Sequence, residues 1–246
     1  MQLPIYFFGD NHFQLSSSEK EDKKIEKFSQ FLNMITNNNN QGTLFIMGDL
    51  FDYYFEYKNR TPEYHQKIFA LLADIKNKGF DIHFVAGNHD YWIGKHFKSH
   101  VTESYLDDTV VTANNKKFYI THGDGILSWD KSYRCLKSIL RSRLFIILFS
   151  LIPESIAFKI AKKISYERKD SHKIDREKEE KIHTELENFA TQRISEGCDY
   201  IIMGHYHHSY HKKLNGGELI LLGECDEKNY NYVIFDGNTL EIKNFF

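Results

Sequence analysis

Five short clusters of carboxylate, imidazole and amide side chains each follow an apolar run of the sequence. They are GDNH at 9–12, GDLFD at 48–52, GNHD at 87–90, THGD at 121–124 and GHYHH at 204–208. Oxygen and nitrogen donors of these types suit first-row divalent ions such as Mn²⁺, Fe²⁺ or Zn²⁺. Because none of the five contains cysteine, a structural zinc site is disfavoured.

Each cluster also has a simpler interpretation when it is taken alone. An isolated Asp-x-His pair such as Asp10 and His12 is more often a turn or capping pair than a metal site, and GNHD is a reasonable turn. If every cluster were only a turn or a cap, ligand-type side chains would have to follow five separate apolar runs by chance. The recurrence therefore favours one shared site.

The apolar runs have the length and composition of buried strands. The runs at 3–8, 43–47 and 80–85 alternate with amphipathic helices predicted within 23–35 and 63–79. This alternation indicates a layered α/β fold with helices outside. In open α/β sheets the ligand site lies beyond the carboxyl ends of the strands, so the polar clusters are expected to meet there.

The second half of the chain contains further predicted strands. Residues 109–121 indicate two strands joined at an Asn-Asn turn, and 200–203 indicate another buried strand. The segments 217–224 and 230–246 resemble closing antiparallel strands, the latter turning at Asp-Gly-Asn. The sheet content is therefore expected to continue to the end of the chain.

Residues 127–197 depart from this pattern and are predicted to form a helical insertion. The core would then comprise 1–126 and 198–246. Between Lys131 and Lys169 there are ten Lys or Arg residues against two acidic residues, beside an apolar stripe at helical spacing. The insertion is either a hairpin that packs its stripe on the core, or an amphipathic lid at a bilayer surface. Its most apolar stretch is far shorter than the roughly 20 residues of a membrane-spanning helix.

Charge, cysteine content and the first residues indicate which partners and which location to expect. The net charge of −2 gives no overall attraction for nucleic acid. Three widely spaced cysteines, Cys135, Cys198 and Cys225, fit free thiols in a reducing compartment. The first residues lack the basic segment of a signal peptide, so a cytoplasmic location is expected.

The five clusters, in their order and internal spacing, resemble the signature of the calcineurin-like metallophosphoesterases. The resemblance implies a layered β-sandwich core flanked by helices, with a centre of two divalent metal ions that share a hydroxide for attack on phosphorus. One ion would be held by Asp10, His12 and His207, the other by Asn88, His122 and His205, and both by the bridging Asp49.

The same resemblance implies roles for three neighbouring residues. His89 would stabilise the phosphoryl oxygens or protonate the leaving group, acting with the bridging Asp49 as a catalytic residue. Asp52 and Asp90 would orient histidines and backbone.

A narrower resemblance is to the bacterial UDP-2,3-diacylglucosamine diphosphatases of lipid A synthesis. It is carried by GDLFDYYFEYK, GNHDYWIG, THGDGI before a basic helical insertion, and GHYHH followed by LLGE. It implies hydrolysis of the pyrophosphate of UDP-2,3-diacylglucosamine to 2,3-diacylglucosamine 1-phosphate (lipid X) and UMP. It also implies Mn²⁺ and a cytoplasmic enzyme peripherally bound to the inner membrane, with the insertion as its lid.

Specific contacts to this lipid-linked nucleotide are also expected. His89 stands where well-known members of the narrower group have Arg, and either residue can donate to a phosphate oxygen. Within the insertion, the predicted phosphate or uridine contacts are Arg134, Arg168, Lys169 and Lys173.

Two alternatives to the lipid substrate stay open from the sequence. One is a soluble metallophosphodiesterase or phosphatase that acts on a nucleotide or a phosphoprotein. The other is a non-catalytic scaffold that keeps the fold. The scaffold is disfavoured because such proteins usually lose metal ligands, whereas all seven ligand positions are filled here.

Overall fold

The computed structural model describes residues 1–57, 63–160, 176–226 and 228–245. They belong to two compact units. The core unit comprises Met1–Gly123 and Thr191–Phe246, and the helical unit comprises Asp124–Ala190. Whether the helical unit acts as a lid stays a prediction.

The core unit contains two sheets. Their strands are β1 (Ile5–Phe8), β2 (Gly42–Ile46), β3 (Phe80–Val85), β4 (Glu103–Tyr105), β5 (Thr109–Ala113), β6 (Lys116–Thr121), β7 (Tyr200–Met203), β8 (Tyr210–Leu214), β9 (Gly217–Leu221), β10 (Asn231–Phe235) and β11 (Leu240–Asn244). The first sheet has the order β11-β10-β1-β2-β3-β4, and the second has the order β5-β6-β7-β9-β8.

The helices of the described residues complete the framework. They are α1 (Glu19–Asn38), α2 (Glu63–Asn77), α3 (Lys95–Ser99), α4 (Lys131–Leu140), α5 (Arg143–Ser150) and α6 (Arg176–Ser195), and residues 154–160 are helical as well. Ser18 caps α1, since its side chain accepts the Glu21 N–H. The buried side chains of α1 include Phe28, Phe31 and Ile35, whose spacing places them on one face.

Strand β1 shows why the layers form. All four of its residues are buried, and alternate side chains point to opposite faces. Tyr6 and Phe8 join the apolar cluster that includes the buried faces of α1 and α2, whereas Ile5 and Phe7 join a second cluster with residues of β6 and β7. The first sheet is therefore covered by helices on one face and by the second sheet on the other. The predicted α/β sandwich flanked by helices is confirmed.

Parallel pairing brings the polar clusters to one edge. Strands β1, β2 and β3 pair in parallel, and so do β6 and β7 in the second sheet. Within each sheet the carboxyl ends of these strands therefore lie side by side. Each of the five clusters begins at such an end or within two residues of it.

The later strands differ in part from the sequence-based expectation. The Asn-Asn turn joins β5 and β6, and the last two strands pair antiparallel around the Asp236–Asn238 turn, as predicted. Strand β9 is antiparallel to β8 but parallel to β7, so the expectation of an antiparallel strand was half right. Strand β8 was missed, although the Asn215-Gly216 pair between β8 and β9 is a strong hairpin signal.

The helical unit is organised around a buried carboxylate. Asp124 accepts hydrogen bonds from the Tyr133 hydroxyl at 3.0 Å and from Arg141 Nη2 at 3.2 Å, and it lies 3.0 Å from Lys137 Nζ. Ser142 caps α5 and so divides the predicted apolar stripe between α4 and α5. Across the described ranges, none of the helices combines the length and apolar character needed to span a bilayer.

Candidate metal centre

The first group of ligand-type side chains gathers beyond β1 and β7. Asp10 and His12 follow β1, and His207 follows β7. Their ligand atoms all lie within 4.8 Å of one another. His12 Nε2 is 3.3 Å from His207 Nε2, and the Asp10 side chain is fully buried. Two imidazole nitrogens this close, next to a buried carboxylate, form a set that one cation can occupy.

The second group gathers beyond β2, β6 and β7. Asp49, His122 and His205 place their ligand atoms within 4.8 Å of one another. The Asn88 side-chain oxygen, which follows β3, lies 3.2 Å from His122 Nε2. An amide oxygen therefore lies beside this group.

Asp49 lies between the two groups. Its Oδ2 is 3.3 Å from His122 Nε2 in the second group and 3.8 Å from His12 Nε2 in the first. One carboxylate oxygen thus faces both sets of donors. This is the position that a bridging ligand needs.

The loops that carry these donors adopt a strained backbone. Among the described non-glycine residues, seven have positive φ, and five of those seven belong to the two groups. They are Asp10 (φ 54°), His12 (φ 48°), Asp49 (φ 49°), His205 (φ 72°) and His207 (φ 60°). Such conformations persist only where the surroundings enforce them, and they concentrate at functional sites.

Neighbouring backbone groups hold the strained loops in place. The Asp10 N–H donates to the Gly48 carbonyl at 3.1 Å, and the His12 N–H donates to the Asp49 carbonyl at 2.9 Å. At Gly87 a side chain would collide with the Asp49 carboxylate. Glycine is required there because the two loops approach so closely.

Two histidines have their tautomers fixed by backbone carbonyls. The Nδ1 of His122 lies 2.8 Å from the Met47 carbonyl, and the Nδ1 of His89 lies 2.7 Å from the Asp52 carbonyl. A carbonyl can only accept, so each Nδ1 carries the proton. His122 therefore keeps the Nε2 lone pair for a ligand, as outer contacts do in metal sites.

Asp90 ties two of the loops together. It is fully buried, and its Oδ1 accepts the N–H groups of Asp49 (3.2 Å) and Gly87 (3.0 Å). Its Oδ2 accepts those of Leu50 (2.8 Å) and Phe51 (3.4 Å). Burial and the nearby Asp49 charge raise the pKa of Asp90 to about 7, while the N–H donors and His122 oppose the shift. The carboxylate thereby fixes the loop after β2 relative to the loop after β3.

The electrostatics of the site favour a cation. Burial raises the pKa of Asp10 to about 6, although His207 and His122 lower it in part. Burial opposes protonation of His207, yet Glu224 and Asp10 together raise its pKa to about 9. Burial also raises the pKa of Asp49, but His122 and His89 outweigh it and hold the pKa well below its usual range.

The donor set fits divalent metal ions. Two carboxylates and four imidazoles make up the two groups, and the ligand atoms of each group lie within 4.8 Å of one another. A divalent ion binding here would displace protons from these groups and neutralise the converging charges. Side chains of this kind bind Mn²⁺, Fe²⁺ and Zn²⁺.

Sequence reasoning missed two outer supports of the first group. Glu224 lies in the loop after β9, and its Oε2 is 3.4 Å from His207 Nδ1. Lys24 on α1 donates to the His12 carbonyl at 2.7 Å. The spacing of both carried a signal: Glu224 follows the apolar run of β9 in a Gly-Glu pair, and Lys24 lies four residues before Phe28 on the apolar face of α1. Glu224 ends the LLGE segment, one of the segments that carry the narrower resemblance.

The residues predicted to contact substrate belong to different parts of the chain. His89 lies at the metal centre, with its Nε2 4.0 Å from Asp49 Oδ2. Arg134 lies on α4 in the helical unit, where it lines an open groove of about 540 Å³ together with Lys131 and Lys137. Arg168, Lys169 and Lys173 lie outside the described residues.

The two-sheet fold and this donor set define the class of metal-dependent hydrolases built on a β-sandwich. The model of the calcineurin-like phosphoesterase family matches residues 3–209, and the chain belongs to that family. It is a dinuclear metal-dependent hydrolase of phosphoesters or phosphoric anhydrides, as predicted.

Three curated relatives carry the same name, UDP-2,3-diacylglucosamine hydrolase. The one from Haemophilus influenzae is 27% identical over 231 residues and covers 93% of each chain. The one from Porphyromonas gingivalis is 27% identical over 263 residues, covering 99% of this chain and 98% of its own. The one from Neisseria meningitidis is 26% identical, covering 96% of this chain and 95% of its own. The similarity therefore spans both units of the chain.

Proposed function

We propose that this protein hydrolyses the pyrophosphate of UDP-2,3-diacylglucosamine to 2,3-diacylglucosamine 1-phosphate and UMP. The names of relatives that match over almost the entire chain support this substrate. The observation that carries the reaction type is the Asp49 carboxylate oxygen, which faces both groups of ligand-type side chains at 3.3 and 3.8 Å.

In this proposal Asp10, His12 and His207 hold one ion and Asn88, His122 and His205 hold the other, with Asp49 as the bridge. The bound ions, in the proposal Mn²⁺, would acidify water and neutralise phosphoryl charge. The protein's part is to hold its donors in place before substrate arrives. The Asp90 carboxylate, which accepts four backbone N–H groups, would hold two of these loops.

His89 is proposed to act on the substrate directly. Its Nδ1 is committed to the Asp52 carbonyl, so any proton that it delivers must come from Nε2. That atom points toward Asp49. The imidazolium form can therefore donate to a phosphoryl oxygen or to the leaving group next to the metal ligands.

The helical unit is proposed to recognise the lipid and the membrane surface. Helices α4 and α5, with the residue that follows α5, expose six large apolar residues, each between 44% and 74% accessible. They are Leu136, Ile139, Leu144, Ile147, Leu148 and Leu151. Exposed apolar surface on this scale marks an interaction site, and acyl chains are the ligand that the proposed substrate offers.

Basic residues of α4 would meet phosphate. Lys137 and Arg141 are engaged with Asp124, whereas Arg134 is exposed in the groove of the helical unit. Arg134 is therefore proposed to bind a phosphate or uridine group, and it would also favour an anionic, cytoplasmic membrane face. Arg168, Lys169 and Lys173 are proposed to act with it.

The substrate can be tested with the purified, Mn²⁺-loaded protein. UDP-2,3-diacylglucosamine in mixed micelles should be converted to UMP and the lipid monophosphate, and UDP-glucose should not be converted at a comparable rate. Bis(p-nitrophenyl) phosphate serves as a soluble reference. Turnover of the soluble phosphodiesters with none of the diacyl substrate would refute the lipid assignment and leave a soluble phosphodiesterase.

A further inference from the structure

A buried ion pair lies behind the first ligand group. Glu21 and Lys24 lie one turn apart on α1, with 3.3 Å between the carboxylate and the ammonium. Glu21 is 3% exposed and Lys24 is 6% exposed. The neighbouring Lys23 is exposed and pairs with Glu19 in solvent. One lysine of the two therefore points inward.

Both members of the pair bind the backbone of the loop after β1. Lys24 Nζ donates to the His12 carbonyl at 2.7 Å, and Glu21 Oε1 accepts the Gln14 N–H at 2.8 Å. Ser18 and Glu21 match the spacing of a capping box, in which the glutamate returns to the cap residue of its own helix. Here the glutamate instead binds a residue that precedes the helix.

Such a pair has no strong rationale in stability alone. Removing two charges from water costs several kcal/mol, and apolar replacements of buried pairs are often neutral or stabilising. The contacts therefore point to a geometric role. His12 has a φ of 48°, a conformation that must be enforced by its surroundings.

Both backbone polar groups of His12 are hydrogen-bonded. Its N–H donates to the Asp49 carbonyl at 2.9 Å, and its C=O accepts from Lys24. We propose that the Glu21–Lys24 pair is a positioning device that locks His12 in its ligand orientation and so sets the metal affinity of the group formed by Asp10, His12 and His207. This rests on the ligand assignment proposed above and is independent of the identity of the substrate.

The second group is anchored by other contacts. His122 is oriented by the Met47 carbonyl, and the loop that carries Asp49 is held by Asp90. The pair on α1 should therefore affect one metal position and leave the other unchanged. A residue that supported only the fold would weaken both.

The experiment uses single-site backgrounds of the full chain. His205→Ala removes a ligand of the second group, and His207→Ala removes one of the first. Each is combined with the double substitution Glu21→Gln and Lys24→Met, which removes both charges while the introduced amide oxygen can still accept the Gln14 N–H. Co²⁺ binding to the metal-free protein is measured by titration calorimetry and by the visible absorption of the ion.

Loss of an outer support of a metal ligand typically weakens binding by about 10- to 100-fold. We expect that loss in the His205→Ala background and a change below about threefold in the His207→Ala background. Lys23→Met is the matched control and should change neither affinity. Lys24→Arg keeps a donor and should recover part of the loss.

Two results would overturn the proposal. One is an unchanged Co²⁺ affinity of the double variant in the His205→Ala background. The other is an equal loss in both backgrounds, which would reduce the pair to a structural element. If the substrate proposal is wrong, the Co²⁺ titrations keep their meaning because they contain no substrate.

Discussion

In soluble proteins charged side chains are usually exposed and large apolar side chains are usually buried. The core unit breaks the first rule and the helical unit breaks the second. At the strand ends of the core unit, carboxylates are buried, with Asp10 0% and Asp49 1% exposed. In the helical unit, leucines are exposed, with Leu144 at 69% and Leu151 at 74%. Buried charge requires a compensating cation or hydrogen bonds, and exposed apolar surface requires an apolar partner. Each unit is therefore shaped for a different kind of ligand chemistry.

The units also differ in the contacts that stabilise their loops and helices. The core loops are fixed by buried hydrogen bonds to backbone groups, so their geometry is set before any ligand binds. Helices α4 and α5 begin at capping side chains, Asp130 and Ser142, and have no fully buried residue. We therefore expect substitutions in the core unit to change chemistry and stability, and substitutions in the helical unit to change the binding of substrate and of membrane surfaces.

The largest effect is expected for Asp49→Ala. Loss of the residue that faces both ligand groups should lower kcat/KM for the diacyl substrate and for bis(p-nitrophenyl) phosphate by on the order of 10³-fold, about 4 kcal/mol of transition-state stabilisation. Binding to anionic vesicles should not change. Asp74→Ala, an exposed carboxylate paired with Lys78, is the control. Retained hydrolysis in Asp49→Ala would contradict the bridging role.

Asp90→Asn should have the next largest effect, on stability. The amide can accept from only one side, so two of the four buried N–H groups lose their acceptor at about 1–3 kcal/mol each. We expect the free energy of unfolding of the metal-free protein to fall by about 3 kcal/mol in urea titrations.

The matched control for this change lies in the helical unit. Asp130 caps α4 by accepting the Tyr133 N–H, and asparagine is an equally good cap. Asp130→Asn should therefore change the free energy of unfolding by less than about 0.5 kcal/mol. Equal effects of the two Asp→Asn changes would remove the distinction between the units.

Leu144→Ser with Leu148→Ser should separate the functions of the two units. Both side chains are exposed on α5, so stability should change by less than about 0.5 kcal/mol. Binding to anionic vesicles, measured by co-sedimentation, should weaken by about tenfold or more because apolar area is lost from the membrane contact. Val110→Ser, on an exposed strand position of the core unit, should leave binding intact. Undiminished vesicle binding of the double variant would argue against the membrane role.

The smallest effect is expected for Arg134→Ala. An exposed charge contact is worth about 1 kcal/mol, so KM for the diacyl substrate should rise about three- to tenfold. The kinetics with bis(p-nitrophenyl) phosphate should not change, and Lys159→Ala should alter neither substrate's KM. A loss of turnover with the soluble phosphodiester would show instead that Arg134 serves the chemistry.

Much of the fold and the gathering of the candidate ligands could be predicted from the sequence. Apolar runs such as Ile5–Phe8 define buried strands, and the glycine and polar residues that follow mark where each strand ends. Parallel pairing then brings the strand ends together, so Asp10 and His207 could be expected to meet despite their separation. Strand β8 was missed because its residues are mostly exposed and polar, and only the Asn-Gly turn announces it.

The sequence alone determined which residue types stand at the strand ends, because apolar periodicity and glycine placement are local properties of the chain. Tertiary structure alone decided how those residues are supported. The role of Asp90 as an acceptor of four backbone N–H groups, the contact of Lys24 with the His12 carbonyl, and the approach of Glu224 to His207 all depend on non-local packing. Helical spacing places Lys24, and not Lys23, on the face of Phe28 and Phe31, but only the packing of α1 against the loop after β1 brings its ammonium group to the His12 carbonyl.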